Sequence, residues 1–246
     1  MARWNDTRQP TGFTSVPRAG DAVARSATYD TGLRAHMLKI YNYMCSGVLL
    51  TGIVALLSAS TGFTASIAGT PLMWLVVLSP LAIVFAMSFG ANKFSTPTLQ
   101  AMFWGFATLM GVSLSTIFLV YTGESIAATF FATAGAFAGL SLYGYTTKKD
   151  LSGFGTFLIM GVVGLLIAMV INIFLQSSAL MMAISVIGVL IFAGLTAYDT
   201  QRLKEQYAML RGSDFAGKAV VLGALTLYLD FINMFQFLLS LMGSRD

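Results

Sequence analysis

Charged residues are scarce in this sequence, at 10% of its 246 residues. A soluble globular domain has about 25%, so this chain carries too little charge to cover a soluble surface, and a soluble protein is excluded. Hydrophobic residues make up 57% of the chain, and its mean hydropathy is +0.78. The composition indicates a polytopic membrane protein, with the lipid bilayer as its first expected partner.

Cysteine and histidine are almost absent, with one of each. Because Cys45 has no second cysteine to pair with, an intrachain disulfide is excluded. A structural zinc site needs about four ligands, and His36 has no other histidine or cysteine nearby except Cys45. The sequence therefore predicts no structural zinc site, and we expect no cofactor.

Seven stretches are long and apolar enough to cross a bilayer, which takes roughly 20 residues. Most connections between them are short, so consecutive helices are expected to lie antiparallel as neighbours. The predicted fold class is therefore an all-α polytopic membrane protein. The seven predicted spans are 38–60, 72–90, 98–121, 125–145, 154–175, 179–199 and 219–241.

The first 30 residues differ from the rest of the chain. They are rich in polar and small residues, and Pro10 and Pro17 would interrupt a helix there. They also lack the apolar core of a signal peptide. We therefore expect a flexible cytoplasmic tail over 1–30 and one seven-span transmembrane domain over 31–246.

The basic residues lie on one side of the predicted membrane. The N-terminal segment and the loops after spans two, four and six hold all of the 14 lysines and arginines except Arg245. The positive-inside rule then predicts a cytoplasmic N-terminus and an external C-terminus. We attribute the net charge of +4 to this distribution and expect no nucleic-acid partner.

Two carboxylates interrupt the last two spans: Asp230 in the middle of the seventh, and Asp199 at the end of the sixth. An ionisable group inside a membrane costs about 2.5–3.5 kcal/mol on insertion scales, so it usually faces an interior and marks a pathway. Both lie on polar stripes at helical spacing. The stripes are Ser185, Gly188, Phe192, Thr196 and Asp199 in the sixth span, and Gly223, Thr226, Asp230, Asn233, Phe237 and Ser240 in the seventh.

Each carboxylate has two open interpretations. Asp199 is either a juxtamembrane residue bonded to Arg202 or one half of a functional pair, with the Tyr198 hydroxyl at the same depth. Asp230 is either a neutral packing residue, with Thr226 and Asn233 as its local partners, or the other half. If the two meet, they are expected to share a proton. When deprotonated they could bind a hard cation such as calcium, so lower pH should weaken that binding.

The predicted bounds of the spans argue against such a meeting. Asp230 lies about 16 Å into its span at 1.5 Å per residue, whereas Asp199 lies at the inner end of its own. Contact requires that the seventh helix starts later, that the sixth sits deeper, or that the helices tilt strongly.

Three motifs of this chain resemble the Bax inhibitor-1 family of membrane proteins. They are Tyr198-Asp199 at the end of the sixth span, Leu-Tyr-Leu-Asp-Phe-Ile-Asn at 227–233, and the helix exit at 143–150, which ends in Lys148-Lys149-Asp150. The segment 32–44 is also similar to bacterial members. The resemblance covers about residues 30–243.

The resemblance implies a seven-helix fold in which the last helix is enclosed by the other six. It implies a pH-sensitive calcium leak controlled by an aspartate pair, which Asp199 and Asp230 match, in a bacterial inner membrane. Family members can latch one aspartate to an arginine of the second helix. The second span here has no lysine or arginine, and Lys93, just past it, is the only nearby substitute.

Three other functions are alternatives to the passive, pH-modulated calcium leak. Intramembrane aspartyl proteases need Gly-x-Gly-Asp at the second aspartate, where this chain has Leu227-Tyr228-Leu229-Asp230, so we expect no enzyme. A proton-coupled secondary transporter remains an alternative. So does a scaffold that modulates a membrane-anchored protease, because some bacterial relatives that lack the aspartate pair are linked to one.

Overall fold

The regular structure of residues 19–244, the part of the chain that this computed structural model describes, is helical throughout. A short 3₁₀ turn, Ser115–Leu119, follows α4. The helices are α1 Ala19–Ser60, α2 Phe63–Ile67, α3 Pro71–Gly90, α4 Thr96–Leu114, α5 Gly123–Thr146, α6 Ser152–Leu175, α7 Ser178–Leu210 and α8 Ala216–Met242.

Seven of these helices are long and apolar enough to cross a membrane: the Tyr29–Ser60 part of α1, and α3 to α8. The predicted fold class and the number of spans are therefore confirmed. The helices alternate in direction, so the loops 91–95, 147–151 and 211–215 share one end of the bundle. We call this the basic end, and the other the opposite end.

Two helices extend well beyond their predicted spans. α1 begins at Ala19, so the predicted tail boundary at residue 30 falls within it; residues 1–18 and Arg245 lie outside the described residues. α7 continues to Leu210, about three turns past the predicted end at residue 199. The polar residues after Asp199 end the hydropathy signal but still favour a helix, so the span ends before the helix does.

The last helix, α8, is the centre of the bundle. Within its most apolar stretch 72% of the residues are buried, against 11% in α3 and in α6. Its main contacts are with α1, α4, α5 and α7, while α3 packs on α4 and α6 packs on α7. Enclosure by all six other helices is therefore not confirmed, because α3 and α6 form an outer layer with large apolar side chains exposed towards lipid.

Close packing at a glycine and hydrogen bonds from two lysines hold the helices together. A Cβ added at Gly144 of α5 would overlap the carbonyl oxygen of Ala197 in α7, so only glycine permits this close approach. At the basic end, Lys204 Nζ donates to the carbonyl oxygen of Tyr145 at 2.8 Å, and Lys218 Nζ donates to that of Ala91 at 3.1 Å. These lysines satisfy carbonyl groups at the ends of α5 and α3.

Candidate functional site

The polar stripes of α7 and α8 face each other across an antiparallel interface. Near the opposite end, Ser185 Oγ donates to Ser240 Oγ at 3.0 Å. The rings of Phe192 and Phe237 stack with their centroids 5.9 Å apart, and Gly188 leaves the space that Phe237 fills. The helical periodicity of the sequence therefore identified the faces that meet.

Asp199 and Asp230 lie within this interface, and their carboxyl groups are close enough to share a hydrogen bond. Asp199 is 7% exposed and Asp230 is 4% exposed. Because α7 continues to Leu210, Asp199 lies well inside the helix and reaches the level of Asp230. The separation expected from the predicted bounds is absent for this reason.

One oxygen of this pair has no partner. Oδ2 of Asp230 is fully buried and is the one buried side-chain polar atom without a hydrogen bond among residues 29–244. A buried polar atom in this condition costs free energy, about 1–3 kcal/mol or more for a charged group. It is therefore suited to receive a proton or a cation.

A cavity extends from Asp199 to the basic end of the bundle. It has a volume of about 360 Å³, and its polar lining residues are Asp199, Arg202, Gln206 and Thr226. Arg202 is exposed and acts electrostatically on Asp199. The hydroxyl of Thr226 donates to the carbonyl oxygen of Leu222 at 3.1 Å.

On the other side of the pair the interface becomes apolar. Asn233 turns its amide back to the carbonyl oxygen of Leu229 at 2.8 Å. Beyond it the stacked rings of Phe192 and Phe237 fill the space between the helices. A second cavity of about 360 Å³, which Ser240, Asn172 and Gln176 line in part, lies at the opposite end. Asp199 is thus reached from the basic end, while apolar packing closes the other side of the pair.

Two residues predicted to support the pair lie elsewhere. The ring of Tyr198 packs against Gly155 of α6, which belongs to the outer layer, so it faces away from Asp230. Lys93 is exposed in the loop after α3, and within the described residues the charge that acts on Asp199, besides Asp230, is that of Arg202. The latch by Lys93 is therefore not formed in this structure.

A chain of hydroxyl groups, which the sequence did not predict, lies beside the pair. Tyr41 of α1 lies 2.5 Å from Ser141 of α5, whose hydroxyl lies 2.9 Å from that of Thr200 in α7. Thr200 also donates to the carbonyl oxygen of Thr196 at 2.8 Å. It follows Asp199 directly in the chain, so this network holds three helices beside the aspartate. Isolated hydroxyl residues in apolar helices are too common to have predicted it.

Tyr228 was also missed, although it lies in the motif around Asp230. Its hydroxyl is 2.7 Å from that of Thr51 in α1, which donates to the carbonyl oxygen of Ala107 in α4 at 2.8 Å. The rings of Phe103 and Phe106 meet that of Tyr228 edge-on. Tyr228 therefore fixes α8 to α1 and α4, on a different face from Asp230.

The loop 147–151 is held against α7 by one side chain. Gln201 accepts from the backbone N–H of Leu151 at 2.9 Å and donates to the carbonyl oxygen of Lys149 at 2.8 Å. In the same loop, the Asp150 carboxylate accepts from the N–H of Ser152 at 2.8 Å. Hydrogen bonds from Ser152 lower the pKa of Asp150 below its usual value. The loop is therefore held against α7 two residues after Asp199.

The pair has few other groups with which to bind a metal. Among the described residues there is no group of three or more His, Cys, Asp or Glu side chains that could hold one. Calcium takes six to eight oxygen ligands. Two carboxylates supply at most four of them, so the arrangement suits a cation in passage better than a tightly bound one.

The chain is similar to known proteins over most of its length. A family model described as "Inhibitor of apoptosis-promoting Bax1" matches residues 33–246. A protein of Caulobacter vibrioides is 49% identical over 228 residues, which cover 88% of this chain and 91% of that protein. Protein RP147 of Rickettsia prowazekii is 43% identical, covering 91% and 95%. Inner membrane protein YbhL of Escherichia coli is 44% identical, covering 93% and 98%.

Proposed function

This chain belongs to the Bax inhibitor-1 family, and from that membership and its buried carboxyl pair we propose that it is a passive cation leak, with calcium as a permeant ion, gated by pH through Asp199 and Asp230. The observation that carries the proposal is the contact between these two carboxyl groups, with Oδ2 of Asp230 buried and unpartnered. An ionisable group inside a membrane segment typically marks an ion pathway or a proton relay.

The proposed path follows the interface between α7 and α8. Cations enter the cavity at the basic end and reach Asp199, then Asp230. They leave through the cavity at the opposite end when the stacked rings of Phe192 and Phe237 separate. The closed barrier is apolar, and apolar constrictions gate ion passage by excluding water.

Protons and cations compete for the pair. Two ionised carboxylates in contact repel each other, so the pair retains either a proton or a cation. As the pH falls, protonation removes the negative charge that attracts the cation. Calcium binding at the pair is therefore expected to weaken with falling pH and to strengthen with rising pH.

We further propose that the basic end faces the cytoplasm, in line with the positive-inside rule. The name of the Escherichia coli relative supports a location in the bacterial inner membrane. The proposed activity involves no enzymatic step and no cofactor. A membrane-anchored protease is a partner only under the alternative function of a scaffold, in which the aspartate pair is dispensable.

The test is calcium flux into proteoliposomes that contain the purified chain, followed with an enclosed calcium indicator over an acid-to-neutral pH series. Asp199→Asn and Asp230→Asn each remove one ionisable carboxyl group and keep its size. We expect flux in the wild type that depends on pH, and loss of that dependence in both variants.

Asp214→Asn is the matched control, because Asp214 is an exposed acid in the loop between the same two helices. It removes one negative charge without touching the pair, and its flux should follow the wild type at each pH. Absence of flux in the wild type, or an unchanged pH response in both pair variants, would reject the leak. If the variant that carries both Asp199→Asn and Asp230→Asn keeps the full activity of the protein in cells, the scaffold function is favoured.

A further inference from the structure

A groove runs between α1 and α5 over the surface of α8. Each of these two helices packs on α8. Within the described residues they meet at the hydrogen bond between Tyr41 and Ser141, at 2.5 Å, and do not pack along their lengths. The groove is therefore an opening in the layer around the central helix.

Two cavities occupy this groove, and Phe231 of α8 lines both. The larger, at the basic end, has a volume of about 540 Å³, and the smaller, towards the opposite end, about 330 Å³. Ligand sites in proteins measure about 300–1,000 Å³, so the larger cavity has room for a ligand. Its walls are almost wholly apolar, and it opens sideways between Leu38 and Leu142, which are 50% and 63% exposed.

A positively charged side chain lies at the opening of the larger cavity. Arg34 is exposed and lines the cavity at the basic end, where the hydroxyl-bearing rings of Tyr41 and Tyr145 also contribute to the lining. An arginine binds a phosphate group through two parallel hydrogen bonds. The cavity therefore combines an apolar chamber with a side chain that can bind phosphate at its basic end.

The width of the groove limits what can occupy it. A helix with its side chains is about 10–12 Å across, and the Tyr41–Ser141 hydrogen bond crosses the groove, so a helix from another protein cannot enter. An acyl chain is much thinner and can pass into the cavity from the side. We propose that the larger cavity binds an anionic phospholipid, with its phosphate at Arg34 and one acyl chain between α1 and α5.

The bound acyl chain contacts the central helix beside the aspartate pair. The acyl chain reaches Phe231, which follows Asp230 directly. Ser141 in the same wall bonds to Thr200, which follows Asp199. A ligand that binds only the folded state stabilises it. The lipid is thus expected to stabilise the packing of α1, α5 and α8, whether or not the protein conducts cations.

The test is native mass spectrometry of the full-length chain in a neutral detergent, with phosphatidylglycerol or phosphatidylcholine of the same acyl chains added. We expect one phosphatidylglycerol retained per chain under activation that removes phosphatidylcholine. Arg34→Gln should lower the affinity for phosphatidylglycerol about fivefold, since a basic residue near the membrane surface contributes about 1 kcal/mol to binding of anionic lipid. Arg34→Lys should retain most of the binding.

Lys39→Gln controls for net charge. Lys39 is an exposed basic residue slightly further along α1 that does not line the cavity. Equal losses of lipid in Arg34→Gln and Lys39→Gln would show nonspecific attraction to a positive surface and would overturn the proposed site. Equal retention of the two lipids by the wild type would overturn it as well.

A second pair of variants tests the chamber rather than the charge. Ala138→Phe fills the larger cavity, while Ala136→Phe places the same ring on an exposed position of α5 that does not line it. Only Ala138→Phe should lose the lipid. If it does not, or if a phosphatidylglycerol with very short chains competes as well as the long-chain lipid, the acyl chain does not occupy the cavity. Neither result depends on ion flux, so this proposal and the leak can fail separately.

Discussion

Ser185 Oγ donates to Ser240 Oγ at 3.0 Å, near the end of the α7–α8 interface that is opposite to the aspartates. Asp199 lies fourteen positions after Ser185 and Asp230 ten before Ser240. The two offsets differ by about one helical turn, so both contacts fit one antiparallel alignment of the two helices. The stack of Phe192 on Phe237 lies between them. The alignment therefore sets which groups line the path that we propose.

A cysteine pair in place of the two serines should report this alignment. Ser185→Cys with Ser240→Cys, in a chain whose single Cys45 is replaced by alanine, should form a disulfide on mild oxidation, because bridged cysteines have Cβ atoms about 3.5–4.5 Å apart. Mass spectrometry of the intact chain would detect it. Ile187→Cys with Ser240→Cys is the control, since Ile187 is 51% exposed on the outer side of α7. Equal cross-linking of both pairs would contradict the alignment.

The close approach of α5 to α7 depends on the absence of a side chain at Gly144. Gly144→Ala places a methyl group against the carbonyl oxygen of Ala197, and overpacking of this kind costs about 1–3 kcal/mol. We expect a lower midpoint of thermal unfolding in detergent. Gly139→Ala, five residues earlier on the same helix, meets open space. It should leave the midpoint unchanged or raise it, because alanine favours the helix by about 1 kcal/mol. A midpoint lowered equally by both changes would show that contact with α7 is not the cause.

The facing stripes of α7 and α8 could be predicted from the sequence because polar and small residues at helical spacing stand out in an apolar span. The contact between Asp199 and Asp230 could not be predicted from the bounds of the spans. Hydropathy ends the sixth span at residue 199, and it does not reveal that the helix continues to Leu210. Tyr198 shows that a residue next to Asp199 in the sequence need not lie beside the pair. Neighbouring residues point about 100° apart on a helix, and the ring of Tyr198 reaches α6.

The basic residues could be counted from the sequence, but their contacts could not be predicted. Lys204 and Lys218 bond to carbonyl groups at the ends of α5 and α3, while Lys93 is exposed. Which lysine reaches a helix end depends on how the loops fold back on the bundle. The groove between α1 and α5 could not be predicted from the sequence either, because it results from two helices that each pack on α8 but not along each other.

The loop 147–151 should loosen when Gln201 is shortened. Gln201→Ala removes two hydrogen bonds to this loop, each worth about 0.5–1.5 kcal/mol. We expect trypsin to cut after Lys148 or Lys149 several times faster, as measured from the masses of the fragments. Gln206→Ala is the control, because Gln206 lies on the same helix and lines the cavity at the basic end instead. If cleavage of this loop is no faster in Gln201→Ala than in the control, the hydrogen bonds do not hold it in place.

The apolar barrier on the far side of the aspartate pair depends on the ring of Phe237. Phe237→Ala empties the space between Phe192 and Gly188, so water and cations should cross more easily. We expect the calcium leak to rise several-fold in proteoliposomes. Because the change removes about 3–5 kcal/mol of packing, Phe237→Leu provides a milder variant with an intermediate leak. Phe89→Ala is the matched control, since Phe89 stacks on Phe85 at 6.1 Å but is 83% exposed towards lipid.

The pH response separates this barrier from the pair. If the ring only closes the path, Phe237→Ala should raise the leak at every pH and keep its dependence on pH, because Asp199 and Asp230 are unchanged. Adding Asp230→Asn should remove the dependence and leave the leak high. A leak that does not increase in Phe237→Ala, with the variant shown to be folded by its unfolding midpoint, would place the barrier elsewhere in the bundle.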